Sequence, residues 1–320
     1  VLPSLPDNLI AKPTLTWLFD NAASEAQDVE VSYMTNGVKW TADYVLVVNK
    51  DDTLGDLAGW VTLDNQSGAT YEEAQLKLVA GKPNVIEERN FGRQKAVMRE
   101  VMTDAVGGQF EEESFFEYHL YDLQRKTTVK DRQTKQISLL EAADVPLRKT
   151  FLVSDNDTSY YWQEHAATRK VPVRVNVSLK NSEADHLGMP LPAGTVRLYK
   201  QDSKGGQQFI GEDRIEHTPK DEEIKLNVGE AFDIVAEKKQ TAFSRTSNRT
   251  TETAWEITLR NHKDEDITVT VEELFHGMTD WEVLTSSMDY KKKDAQTLAF
   301  DLPVPRNGEA VVSYTVQITH

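Results

Sequence analysis

Two oxygen-rich clusters, Asp155-Asn156-Asp157 and Asp264-Glu265-Asp266, hold the residue types best suited to binding an ion. Each groups hard oxygen donors in a turn-like stretch, a setting in which extracellular β modules hold calcium. Neither follows the loop pattern of an EF-hand, and Asp and Asn also favour turns for their own backbone hydrogen bonds. Asp155 and Asp157 are therefore the metal-ligand candidates, with calcium the only ion in question; otherwise no cofactor is expected. A second chemistry belongs to Tyr160, Tyr161 and Trp162, adjacent aromatics in a polar segment. Such rings stack on a sugar or anchor a protein partner. The competing reading is that they plug a groove between domains.

Catalytic constellations are missing. The seven histidines, at 119, 165, 186, 217, 262, 276 and 320, show neither H-E-x-x-H nor paired spacing. Glu117 and His119 would share one face of a strand, as a candidate pair or simply as part of a polar outer face. Asn65-Gln66-Ser67-Gly68 is no nucleophile elbow, because no strand-to-helix turn surrounds its serine. Gly205-Gly206 lies between strand patterns rather than ahead of a helix, so it cradles no phosphate. With no cysteine, thiolate catalysis and Cys-ligated metals are excluded. A glycosidase-type carboxylate pair stays open, since 52 acidic residues make any one pairing uninformative.

Charge narrows the partners. The net charge is −16, the wrong sign for displacing counterions from nucleic acid. The one basic run, Lys291-Lys292-Lys293, reads as a solvated loop. No apolar run nears the ~20 residues that a membrane-spanning helix needs. The opening, VLPSLPDNLIAKP, lacks the basic and apolar regions of a signal peptide and reads as an extended lead-in. With no initiator methionine, a processed chain or an excised fragment is expected.

The elements that must position these residues are strands. Val38, Trp40, Ala42, Tyr44, Leu46 and Val48 alternate with polar neighbours, the period of a half-buried strand. Val29, Val31 and Tyr33 precede them, and Asn36-Gly37 predicts a hairpin joining the two runs. Leu57 to Leu63 and Leu76 to Ala80 continue the pattern as a meander. Residues 83–113 break it: Val97, Met98, Val101 and Met102 recur at helical spacing, predicting a short helical or mobile excursion. Beyond residue 170 the alternation sharpens, through Val171–Leu179, Val196–Leu198, Ile224–Val228, Trp255–Leu259, Ile267–Val271 and Val312–Ile318. Short strands at hairpin-like spacing, without a βαβ rhythm, predict antiparallel sandwiches. The fold is thus read as all-β with two antiparallel β-sandwich-like domains. Residues 1–155 form the first, with the irregular insert 83–113; residues 156–170 are the junction; residues 171–320 form the second.

Three blocks together resemble a known family. They are Tyr33–Tyr44 continuing through Gly59-Trp60-Val61 to Leu78–Gly81, Phe116–Leu140, and Leu187–Val235 with its LGMPLPAGTVRLY opening. The combination resembles the domain of unknown function numbered 4139, found in mucoidy-inhibitor-like and in stand-alone secreted bacterial proteins. That resemblance implies a β fold, an extracytoplasmic, envelope-like context and further sequence ahead of Val1; it assigns no catalytic residue. The expected function is a non-enzymatic structural or interaction role at the envelope, with a protein partner, self-association or carbohydrate as the binding partner. A carbohydrate-active hydrolase and a carbohydrate-binding module are the alternatives.

Overall fold

A computed structural model of the chain describes residues 18, 20–22, 25–81, 84, 101–104, 108–155, 164, 167–275, 277–278 and 280–319. Residues 1–36 and 37–320 form two separate units. In the first, the described residues hold no strand, and Val29, Val31 and Tyr33 are exposed. The hairpin expected at Asn36-Gly37 is therefore absent: alternation marks a face, but a strand also needs a partner, and none is paired here.

The second unit is built of strands. In chain order they begin with β1 (Val38–Val48), β2 (Leu54–Asn65), β3 (Tyr71–Ala74), β4 (Lys77–Ala80), β5 (Val101–Asp104), β6 (Phe110–Phe115) and β7 (Tyr118–Leu123). Then come β8 (Thr127–Val129), β9 (Gln133–Pro146), β10 (Arg148–Asp155), β11 (Arg169–Val171), β12 (Val173–Lys180), β13 (Gly194–Gln201) and β14 (Gln207–Ile215). The last are β15 (Glu223–Glu230), β16 (Ile234–Arg245), β17 (Thr250–Asn261), β18 (Ile267–Leu274), β19 (Asp280–Ser286), β20 (Lys291–Asp294), β21 (Thr297–Val304) and β22 (Gly308–Thr319). The only helical turn among the described residues is a 3-10 turn at Glu183–Asp185. Within residues 83–113, the described backbone is strand at β5 and β6 rather than helix. Val97 and Met98 lie outside the described residues, whereas Val101 and Met102 are in β5, paired with β9.

Three large sheets result. Sheet I runs β14-β13-β1-β2-β9-β5, sheet II β15-β12-β10-β18-β21-β20, and sheet III β11-β16-β17-β22-β19. Three pairs are parallel: β1 with β13, β5 with β9, and β10 with β18. Local alternation cannot reveal such pairs, because their partners lie far apart in sequence and need a crossover. Leu187–Val235, which reads as one run of hairpins, is in fact shared among all three sheets. Only β13 and β14 form a hairpin, its tip at Asp202–Gly206. Asn307-Gly308 likewise carries the chain from sheet II to sheet III rather than closing a hairpin.

Two cores follow. One gathers Tyr44, Leu46, Val61, Ile137 and Leu198 of sheet I with Tyr121 of β7 and with Val177, Leu179 and Leu226 of sheet II. The other joins sheet II (Phe151, Val269, Val271, Phe300) to sheet III (Trp255, Ile257, Leu259, Tyr314, Val316). Both cores draw on the chain on either side of residues 156–170, most of which lie outside the described residues. Sheet II is the common wall: Val173 of β12 enters the second core, whereas Val177 and Leu179 enter the first.

A repeated corner organises the long connections. Thr62-Leu63-Asp64-Asn65, Ser178-Leu179-Lys180-Asn181 and Thr258-Leu259-Arg260-Asn261 each carry a buried asparagine at the end of a strand or, for Asn181, just past it, one per sheet. The Asn65 amide donates to Ala69 O and, bifurcated, to Val129 O and Lys130 O. Asn261 does the same to Glu265 O, Val304 O and Pro305 O, and Asn181 to Met189 O, Thr218 O and Pro219 O. Each side-chain oxygen accepts one backbone N–H, from Ser67, Lys263 or Gly188. Two residues past the second of the paired carbonyls, Arg132, Asn307 and Asp221 all adopt positive φ, and the strand that follows pairs with the one the asparagine closed. Two buried tyrosines then fasten the proline-rich loop: Tyr44 donates to Pro192 O and Tyr121 to Pro190 O, each at 2.8 Å.

Sheets I and II meet edge to edge. Asp213 of β14 accepts the Asn227 N–H of β15 at 2.7 Å. A Cβ on Gly211 would lie 2.3 Å from Val228 O, so the approach requires glycine. Gly211→Val is expected to destabilise the unit by about 3 kcal/mol, the upper end of overpacking costs. A melting midpoint unchanged in the variant would show that these edges separate freely.

Candidate functional site

The outer face of sheet II is the concave surface on which side-chain chemistry concentrates. Alternation along its strands sends one parity to the cores and the other outward. Thr150 and Leu152 of β10, Asn176 and Ser178 of β12, Thr270 of β18 and Ala299 of β21 thus form a floor of short side chains. Lys225 of β15 and Arg148 stand along one wall, and Lys291, Lys292 and Lys293 of β20 along the other. The concavity measures about 590 Å³ and touches all six strands. Five spacings of ~4.8 Å make it roughly 24 Å across.

Its charge runs against that of the chain. Lys291 bonds Asp301 at 2.7 Å, Lys293 bonds Glu272 at 2.6 Å, and Arg148 bonds Glu223 at 2.7 Å. The Lys291 bond, then that from Thr270, holds the Asp301 carboxyl below its ordinary value. Burial opposes the same shift at Glu223, but Arg148 and Lys225 prevail. Lys292 lies over the Trp281 ring, 4.3 Å from its centroid. Four cations, Arg148, Lys225, Lys291 and Lys293, therefore face three carboxylates, in a chain with 36 basic and 52 acidic residues; Lys292, paired with the inward Leu298, turns to the other face.

Beneath one end of this sheet lies a buried ionic cluster. β18 places consecutive glutamates on opposite faces: Glu272 reaches the groove, and Glu273 points inward to Lys238 of β16 at 2.5 Å. Both partners of that inner pair are almost fully buried. Asp155, beside Glu273 across the β10–β18 ladder, lies 4.0 Å from Lys238 and is ion-paired with Arg169. Lys238 also sits 4.5 Å from the Trp255 ring centroid. Burial pulls the Arg169 guanidinium below its ordinary value, and Glu273 works against that. Two cations and two carboxylates thus join sheet II to sheet III. Lys238 and Glu273 satisfy one another in a setting shielded from water, which neither could tolerate alone, while Arg169 at the margin stays partly exposed.

The residues singled out from sequence are dispersed. Tyr160, Tyr161, Trp162 and Asp157 lie outside the described residues. Asp155 does not face an open, oxygen-lined turn; its carboxylate meets two cations, the opposite of a calcium setting. In the other cluster, Asp264 accepts the Asn307 amide and Asp266 the Arg306 N–H, each tying a turn. His119 pairs with Glu112 at 2.7 Å rather than with Glu117, because the register of β6 on β7 brings Glu112 alongside. Among the described residues no three His, Asp or Glu side chains form a metal-ligand set. Lys291–Lys293 are not a loop: they form β20, the edge of sheet II. The groove itself escaped the sequence reading. Its signal was the outward parity of strands otherwise examined only for apolar residues.

No helix among the described residues is long and apolar enough to cross a membrane. No curated protein shows significant similarity to the chain. A family model described as Domain of unknown function (DUF4139) matches residues 29–320, nearly its whole length, and the chain therefore belongs to that family.

Proposed function

We propose that this chain is a non-enzymatic, extracytoplasmic β-sandwich protein with an interaction role at the cell envelope. The observation that carries this reading is the character of the groove. Small-molecule pockets are enclosed, largely apolar and furnished with a few convergent polar groups. Here a broad, open concavity mixes hydroxyls and an amide with Phe151, Leu152 and Ala299 on its floor, between walls of cations. Each of its three carboxylates is bonded to a cation, Asp301 to Lys291, Glu272 to Lys293 and Glu223 to Arg148, and the Asp301 carboxyl is held below its ordinary value. A glycosidase acid needs the reverse, a carboxyl whose pKa is raised towards neutrality. The lack of cysteine agrees with export, where an unpaired thiol is a hazard.

The protein is expected to show no turnover on ester, peptide and glycoside panels, while the immobilised chain retains a component of an envelope extract. A hydrolytic rate that disappears in Asp301→Asn or Glu272→Gln would replace this reading with the hydrolase one.

A further inference from the structure

We infer that the outer face of sheet II binds a linear polysaccharide carrying carboxylate or sulfate groups, laid across the strands. The inference rests on the interaction reading above and names the ligand class of that same site. Three observations converge on it.

Direction comes first. The groove is lined by all six strands of the sheet, from Lys225 on β15 to Lys291–Lys293 on β20, so its long axis crosses them. A peptide captured by strand addition would instead lie along an edge. The β20 edge suits that poorly, being four residues long, wholly exposed and rich in lysine.

The floor comes second. Thr150 and Asn176 offer a hydroxyl and an amide able both to donate and to accept, the match for sugar hydroxyls, while Thr270 and Ser178 are bonded to Asp301 and to Arg148 and Glu223. The apolar lining, Phe151, Leu152 and Ala299, is shallow and open, with no deep pocket to take peptide side chains.

Charge comes third. Lys225 and Arg148 share Glu223 on one wall, with Lys225 at 3.6 Å and Arg148 at 2.7 Å. On the other wall Lys291 and Lys293 face the groove, bonded to Asp301 and Glu272, while Lys292 between them turns inward over Trp281. Cations on both walls suit a chain bearing anions at intervals along its length, not a single anionic end group. In a protein of net charge −16, such an island attracts anions only at short range, within about a Debye length of ~8 Å at physiological salt.

The test uses the whole chain and four probes by calorimetry: dextran sulfate, dextran, polygalacturonate and polyglutamate. Dextran sulfate and polygalacturonate are expected to bind, with affinity falling as salt rises, while dextran and polyglutamate do not. Lys291→Glu/Lys292→Glu/Lys293→Glu is expected to weaken binding at least about tenfold; since it also sets carboxylates against Asp301 and Glu272, its melting midpoint falls, and binding is compared at a temperature where both proteins are fully folded. Lys225→Glu, on the opposite wall, provides an independent variant with the same expected loss. Equal binding of polyglutamate would overturn the inference in favour of a general polyanion patch. Binding of uncharged dextran, unaffected by either variant, would overturn it in favour of a neutral glycan. If no probe binds but the charge-reversed variants lose the component retained from envelope extract, the polysaccharide assignment fails and the interaction reading stands. Should the variants retain that component as well, the groove is not the site.

Discussion

Removing Lys238 is expected to cost about 3–5 kcal/mol of folding stability, the range for breaking a buried ion pair by deleting one partner. The reason is asymmetric. Lys238 and Glu273 are almost wholly shielded from water and lie 2.5 Å apart. With Lys238→Ala, the Glu273 carboxylate loses that cation in a setting where an ion needs one. Trp255 also loses the ammonium stacked 4.5 Å from its ring. The loss should appear as a shift in the urea midpoint with an unchanged slope. Replacing both partners, Lys238→Met with Glu273→Leu, should recover most of it, since burying a matched apolar pair avoids desolvating two charges. A single-variant loss below about 1 kcal/mol, the level of an exposed pair, would mean that water reaches the cluster. The effect should also extend to function. Because Glu272 and Glu273 are neighbours on β18, loosening the inner pair unsettles the strand that carries the groove floor.

The second large effect is expected at the repeated corner. Asn261→Ala deprives Glu265 O, Val304 O and Pro305 O of their donor and leaves the Lys263 N–H without its acceptor. Each buried polar group left unpaired costs about 1–3 kcal/mol, so a total of about 3 kcal/mol is a conservative expectation. Asn65→Ala and Asn181→Ala should behave alike, because each asparagine holds its own crossover by the same set of bonds. Asn261→Asp is the sharper variant. It keeps the shape but turns a donor into an acceptor facing carbonyl oxygens, and should destabilise more than alanine does. Thermal melts of the three alanine variants provide the check. Losses within a few tenths of a kcal/mol of an exposed Asn248→Ala control would show that water substitutes for the side chain.

What the sequence determined by itself is the class of the fold and much of its core. Strict alternation in Val171–Leu179, Trp255–Leu259 and Val312–Ile318 needs only a pleat and one dry face, both local properties. The inward residues Val173, Val177, Ile257, Val316 and Ile318 are accordingly buried. The Asp202–Gly206 tip was legible for the same reason, since its turn chemistry is complete within a few residues. The family, too, was legible from three blocks of residues and now stands on a match to residues 29–320. Tertiary structure decided which strands are neighbours. Ala42 pairs with Gly194 and Phe151 with Val269, choices set by packing among remote segments rather than by any local preference. It also decided the meaning of polar residues. Asp155 resembles a turn ligand in sequence, yet it becomes half of an ion pair because β11 and β16 bring Arg169 and Lys238 to it. Lys291–Lys293 resemble a loop, yet β21 recruits them as the wall of a groove. A polar side chain's role depends on the charge placed opposite it, and only the assembled sheets fix that.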